Sequence, residues 1–192
     1  MRMNKAGEEN RSVRNTKKKL REGLLRLMAD KPINEISVKE LTELVDVNRG
    51  TFYFHYTDIY DLLRSMQEEF FDSFRLRMER AVELQSVIPY LSAIFSFLGE
   101  NRDFCKIMLG PHGDMLFVDR IKTQVDERCS HIWREATPEA DPGKFELYNA
   151  FIINGCIGII QKWLDEPERS GPEEISQLAA TIILASVRPV IA

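Results

Sequence analysis

The sequence is poor in the features from which chemical sites are commonly built. Its three cysteines, Cys105, Cys129 and Cys156, stand far apart and form no CxxC pair, which argues against a disulfide framework and a thiolate zinc site. Each reads as an ordinary small core or half-buried residue. His55, His112 and His131 are the only histidines, and no HExxH, GxSxG, phosphate loop or Cys-His metal spacing accompanies them. Neither a metal nor a cofactor is expected, and His112, between Pro111 and Gly113, reads as a turn residue. A catalytic constellation assembled only by folding stays open. No segment approaches the roughly 18 uninterrupted apolar residues of a membrane span, so no membrane partner is expected. The N-terminus MRMNKAGEENRSVRNTKKK has the charge of a signal peptide without its apolar core, and the expected location is cytoplasmic.

What the chain does have is apolar content and an uneven charge. With 44% hydrophobic residues over 192 positions it can bury a good core, as one large domain or as a small N-terminal domain joined to a larger one. The net charge of -4 is divided: residues 1 to 31 hold ten Lys or Arg against four acids, and the remainder is acidic. A basic arm and first helix on an acidic body is the distribution expected when one end meets phosphates and the other does not.

The periodicity is helical and no strand pattern is convincing, so the expected fold class is all-α. Residues 1–13 are polar and aperiodic, as in a flexible basic arm. From Arg14 to Asp30, Leu20, Leu24, Leu27 and Met28 form one apolar stripe, while Lys17, Lys18 and Arg21 lie on the other face, in water or near a polyanion. After a break at Lys31–Ile36, the stretch SVKELTELVDVNRGTFYFHY, Ser37 to Tyr56, holds two short helices separated by a turn. Ser37 can cap the first, with Glu40 as the capping-box acid, and Val38, Leu41 and Leu44 or Val45 supply its apolar face. Asn48 can cap the second, whose first turn exposes Arg49, Gly50 and Thr51, groove-sized or hydrogen-bonding residues rather than core fillers. Such a unit suits the presentation of one helix to a surface better than the enclosure of a substrate.

Thr57 or Asp58 can cap a long connecting helix that ends near Glu83. Helical periodicity resumes over Val87–Met108, with a break at Gly99 and Asn101, and again from Met115 to about Glu135, beyond the turn Leu109–Asp114. The last two helices, about Lys144–Glu166 and Glu173–Val187, are the second strong signal. The former is so apolar that it must be enclosed on more than one side. Two copies are expected to associate through Ile152, Gly155, Ile159, Trp163, Leu178, Ala179, Ile182, Ala185 and Ser186 as a two-fold four-helix interface. Closure of a bundle within one chain is the alternative. An apolar or aromatic small-molecule effector would be lined by Tyr90, Ile94, Phe97, Phe104, Met108, Phe117, Ile121, Trp133, Phe151 and Cys156.

Across about Thr16 to Leu63 the chain resembles the TetR family of transcriptional regulators. The resemblance is carried by Asp46-Val47-Asn48-Arg49-Gly50-Thr51-Phe52-Tyr53-Phe54-His55-Tyr56 and by Ile59 to Leu63. The C-terminal part, with Gly110-Pro111-His112-Gly113-Asp114 and Gly158 to Leu164, resembles the regulatory domains of a low-GC Gram-positive subgroup more weakly. The family resemblance implies an all-helical dimer with a helix-turn-helix DNA-binding domain at 14–58 and an effector-binding and dimerisation domain at 59–192. It places Ser37 where a hydroxyl meets phosphate, and Asn48, Arg49, Thr51 and Tyr53 on the contacting face of a recognition helix. His55 and Tyr56 match the family's His-aromatic pair, the aromatic packing beneath that helix. Two positions depart from the pattern: Asp46 stands where Gly is usual, and Ile59 replaces a common Lys, leaving Lys17, Lys18 or Lys19 as substitute phosphate contacts.

The expected function is that of a dimeric transcriptional regulator, a repressor that binds an inverted-repeat operator in double-stranded DNA through the helix at 48–54 and is released by a small-molecule effector. Its expected DNA contacts are Lys17, Lys18, Ser37, Asn48, Arg49, Gly50, Thr51, Tyr53 and His55. A helical protein-interaction adaptor without DNA binding and, more remotely, a small-molecule enzyme are the alternatives.

Overall fold

A computed structural model describes residues 5–82, 87–136, 141–166 and 170–186, and every regular element among them is helical. The order is α1 (Lys5–Asp30), a 3-10 turn (Ile33–Glu35), α2 (Val38–Leu44), α3 (Arg49–His55), α4 (Ile59–Val82), α5 (Val87–Glu100), α6 (Arg102–Met108), α7 (Met115–Ala136), α8 (Pro142–Asp165) and α9 (Pro172–Ser186). The chain divides into two units, one of Met1–Asp72 with Pro111–Gly113 and the other of Ser73–Gly110 with Asp114–Ala192. Helix α4 runs unbroken across the boundary between them.

The first helix is longer than expected. It begins at Lys5 rather than Arg14, so residues 5–13 are helix and not a flexible arm. Propensity explains the difference: Ala6, Glu8, Glu9 and Arg11 are residue types that favour helix. Extending a helix already nucleated is far easier than starting one, and no apolar stripe is required.

In the first unit Leu20, Leu24 and Met28, one turn apart on α1, are buried with Ile36, Leu41, Phe52 and Tyr56. The alternative between Leu44 and Val45 resolves in favour of Val45, because Leu44 is exposed and Val45 lies against Gly23 of α1. A Cβ at position 23 would stand 2.3 Å from Val45 Cγ1 and 2.9 Å from Leu41 Cδ1. The close approach of α1 to α2 therefore depends on a residue with no side chain. Buried Thr42 satisfies its hydroxyl by donating to the carbonyls of Val38 and Lys39, at 2.8 and 3.0 Å. Along α4, Ile59, Leu62, Leu63, Met66, Phe70, Phe74 and Met78 keep one buried face.

In the second unit α5 packs chiefly on α9. Ala179 and Ala180 are buried, and Ser92 and Ser176 hydrogen-bond across the pair at 3.0 Å. Arg102 at the start of α6 donates twice to the Leu164 carbonyl, at 3.1 and 2.7 Å, and Gln161 donates to the Leu109 carbonyl at 2.7 Å. These bonds fix the end of α8 against α6.

Two residues assigned to the dimer interface belong to this core instead. Trp163 is only 7% exposed; its ring meets Phe95 edge-on at 5.7 Å, and its Nε1 donates to the Ser170 carbonyl at 2.9 Å. Gly99 makes room for it, since a Cβ there would lie 3.1 Å from the indole. Ala179 is fully buried, its small side chain letting α9 come close to a neighbouring helix. Of the other interface candidates, Gly155, Leu178, Ile182 and Ala185 are exposed, and Ile152, Ile159 and Ser186 half-buried. Phe151, assigned to an effector pocket, is 64% exposed. It lies one turn from exposed Leu147 and Gly155 on the outer stripe of α8, so it lines no interior.

Gly23→Ala adds helix propensity worth about 1 kcal/mol but overpacks the α1–α2 contact at a cost of roughly 1–3 kcal/mol. A net loss of about 1 kcal/mol is expected, measured as a lower chemical-denaturation midpoint followed by helical circular dichroism. An unchanged or higher midpoint would show that Val45 yields freely.

Candidate nucleic-acid interface

The site is assembled from three local structures, each set by a few residues. Ser37 has extended backbone and its Oγ accepts from the Glu40 N–H at 3.1 Å, starting α2. Lys31 Nζ donates to the Glu40 carboxylate at 2.7 and 2.8 Å. That bond holds the Glu40 pKa below its ordinary value, with the Ser37 backbone N–H adding a smaller pull in the same direction. Serine spends only an acceptor lone pair on the cap, so its O–H proton remains a donor for a phosphate oxygen.

The turn after α2 is closed by hydrogen bonds from the Val47 N–H to the Thr42 carbonyl at 3.0 Å and from the Asp46 N–H to the Glu43 carbonyl at 3.5 Å. That is the Schellman arrangement, which requires a left-handed residue after the cap. Asp46 supplies it with φ of 51°, where Asp is better tolerated than most non-glycine residues. The chain thus reverses tightly enough to start α3 only three residues later.

At Asn48 the side-chain Oδ1 accepts from the Gly50 N–H at 2.7 Å, and the backbone carbonyl accepts from Thr51 and Phe52 at 2.9 and 3.1 Å. The inner face of α3 is aromatic: Phe52 is fully buried and its ring lies 5.8 Å from that of buried Tyr56. The outer face carries exposed Arg49, Gly50, Tyr53 and Phe54, with Thr51 and His55 half-buried. No carboxylate pairs with Arg49 among the described residues.

His55 stands where α3 meets α1. Burial first, and the nearby Lys17 charge second, lower its pKa from the ordinary 6.5. The structure therefore brings Lys17 to the same surface as the end of α3, as its sequence position alone could not establish. Lys18 is exposed and makes a loose 3.8 Å pair with Glu22, of a kind that contributes little. Arg21 behaves differently from its neighbours: it pairs with Glu69 of α4 and is held within the protein rather than offered to a polyanion.

Phe54 was missed by sequence reasoning. It is 81% exposed, although a phenylalanine among apolar neighbours reads by default as core. The signal available was angular. At about 100° per residue, a position two residues beyond buried Phe52 must point nearly the opposite way.

Residues expected around an effector lie in the second unit. Tyr90, Ile94, Phe97, Met108 and Phe117 are buried, and Phe104, Ile121 and Cys156 half-buried. Phe104 and Phe117 meet edge-on at 5.5 Å. Burial raises the Cys156 thiol to about 11 and that of Cys105 to about 12. The side chain of Trp133 falls outside the described residues, as do those of Cys129 and His131.

Residues 85–185, more than half of the chain, match the TetR C-terminal family model described as "Transcriptional regulator C-terminal region". The chain belongs to the TetR family of transcriptional regulators. It is similar to YxbF of Bacillus subtilis strain 168, an HTH-type transcriptional regulator, with 30% identity over 171 residues. That match covers 82% of this chain and 42% of the relative, so the chain spans less than half the length of the curated relative it matches. Among solved structures, a TetR transcriptional regulator from Streptococcus agalactiae 2603V superposes with a TM-score of 0.62 at 21% identity, covering 93% of this chain and 98% of that one. The fatty acid degradation regulator FadR from Bacillus halodurans gives 0.66 at 15% identity, covering 90% and 96%. At those identities the likeness is one of fold. The matched relatives are regulators, not enzymes. No helix among the described residues is long and apolar enough to cross a membrane.

Because Asp46 already occupies the left-handed region, Asp46→Gly is expected to change stability by less than about 1 kcal/mol. Asp46→Val, β-branched in the same conformation, is expected to lose about 1–2 kcal/mol or more. Thermal unfolding of the two variants side by side checks this. Equal midpoints would mean that the turn relaxes to another backbone.

Proposed function

We propose that the chain is a dimeric transcriptional regulator that reads double-stranded DNA through α3 and represses transcription until a small molecule binds its second unit. The observation that carries this reading is the two-faced character of α3. Phe52 and Tyr56 anchor one side in the core, and the opposite side offers Arg49, Gly50 and Tyr53 to solvent. A short helix held this way fits the major groove, where the first turn reaches base edges. Arg49 is the base reader, suited to bidentate bonding with guanine N7 and O6. Asn48 and Thr51 bond to bases or phosphates at the same end, and Gly50 lets the backbone approach. Tyr53, Ser37, His55, Lys17 and Lys18 serve as the surrounding backbone contacts, which position the head without reading sequence.

Dimerisation is supported by the outer stripe of α8. Leu147 and Phe151 are exposed there, and Cβ atoms at Gly155 and Gly158 would meet nothing within 4 Å. Glycine inside a helix costs about 1 kcal/mol relative to alanine, and nothing among the described residues makes use of its smallness at either place. Exposed Leu178, Ile182 and Ala185 continue the apolar surface on α9. A second copy would use both, and the two-fold axis would present two recognition helices to half-sites about 34–36 Å apart. The effector would be apolar or aromatic, held among side chains such as Tyr90, Phe97, Phe104 and Phe117. Preference for one head spacing would pass along α4, which is continuous from one unit into the other. A DNA partner fits a cytoplasmic location.

Selection of bound fragments from a random duplex pool is expected to enrich an inverted repeat. On that repeat, Arg49→Ala should lose about 1–3 kcal/mol and relax discrimination at one base position per half-site. Lys18→Gln should weaken all sequences alike and make the salt dependence shallower. A protein-interaction adaptor would enrich no duplex, and its binding to a partner through apolar contacts would be nearly indifferent to salt.

Gly158→Leu is expected to convert dimers to monomers in sedimentation at micromolar concentration, with the monomer fold retained by circular dichroism. Retention of the dimer would remove α8 from the interface.

A further inference from the structure

We propose that Phe54 is a second sequence-reading residue, one that recognises the C5-methyl group of thymine; this rests on the operator-binding reading above and adds a base preference to it. Phe54 is 81% exposed while Phe52, two positions earlier on the same helix, is fully buried. Its ring meets that of neighbouring His55 edge-on at 5.0 Å, which leaves most of its apolar surface in water. Exposing a phenyl ring forfeits most of the roughly 1.5–3 kcal/mol that burying one contributes, so its placement at the outermost point of α3 is a liability unless an apolar surface covers it in the bound state. The most prominent apolar group that the major groove of DNA displays is the thymine methyl; the base edges otherwise present mainly hydrogen-bond donors and acceptors. Gly50 precedes Phe54 by one turn on the same outer ridge, and a Cβ there would approach only Asn48 Oδ1, at 3.1 Å. The ridge is therefore bare at its start and tipped by a ring at its end. That shape lets the helix sink until the ring meets the groove floor.

Phe54 lies five residues beyond Arg49, about 7.5 Å farther along the helix axis at 1.5 Å per residue. At about 100° per residue the two also stand about 140° apart around the axis, so they reach different bases of the half-site, the long arginine from the flank of the helix and the ring from its outer ridge. Arginine at one end supplies hydrogen bonds and phenylalanine at the other supplies shape, so a half-site is specified by two different kinds of contact.

The test uses the full chain and the duplex it enriches from the random pool, with each thymine replaced singly by deoxyuridine, which lacks only the methyl. For the wild type, one position per half-site is expected to weaken binding about fourfold, the worth of one methylene-sized apolar group. Phe54→Ala should bind the unmodified site more weakly and be indifferent to deoxyuridine at that same position, while keeping its discrimination at the guanine. Its thermal midpoint should equal that of the wild type, because so exposed a ring leaves no cavity. Phe54→Leu should recover part of the methyl sensitivity. Equal responses of wild type and Phe54→Ala at every thymine overturn the proposal and leave operator binding standing. Failure of the wild type to enrich any duplex overturns both.

Discussion

A helix of seven residues does not hold together in water, because the cost of nucleating it exceeds what two turns of hydrogen bonds return. Everything proposed for α3 therefore depends on the burial of Phe52 beside Tyr56 and on the packing of α3 against α2. That anchor fixes the rotation of the helix about its own axis, and rotation decides which side chains face outward. The Asn48 cap and the Schellman turn at Asp46 set the direction from which the helix starts. Shape at the reading surface is thus a property of the core beneath it. A change at Phe52 would alter every outward contact together, whereas a change at Arg49 would alter one.

The same dependence runs one layer deeper. Helix α2 can support the turn into α3 only because it lies close to α1, and Gly23 permits that approach by leaving Val45 and Leu41 room. Arg21, paired with Glu69, joins α1 to the first half of α4 beside Tyr56. The first unit is a small core in which three loosely independent helices are made into one body by a few close contacts. None of those contacts involves a residue on the exposed face of α3, so the face is free to vary while its support is not.

Most of the fold could be read from the sequence wherever an apolar stripe coincided with a capping residue. The starts of α2, α3 and α4 at Ser37, Asn48 and Asp58 follow that rule; at the break between α5 and α6 the Asn101 side chain instead donates back to the Phe97 carbonyl and does not cap α6. What escaped were features that local pattern does not contain. The helix at residues 5–13 has no stripe and forms by propensity and extension. Trp163 and Ala179 looked like interface residues because α8 and α9 are apolar on several sides, and only packing tells which side is already covered. Phe151 erred the other way for the same reason. Phe54 was hidden by its chemistry, since residue type suggests burial and only position on the helix denies it. The approach of the Lys17 charge to half-buried His55 is likewise a tertiary fact.

The early start of α1 changes what the basic N-terminal segment is mechanically. A disordered tail searches a wide volume and can follow a curved path, and its ordering on arrival weakens the attachment. A rigid rod of 26 residues spans about 39 Å and can meet only what lies along one straight line. Arg11, Arg14 and Lys18 succeed one another at helical intervals on that rod, so their charges keep a fixed pitch. Reach is exchanged for alignment, and the segment becomes a ruler instead of a tether.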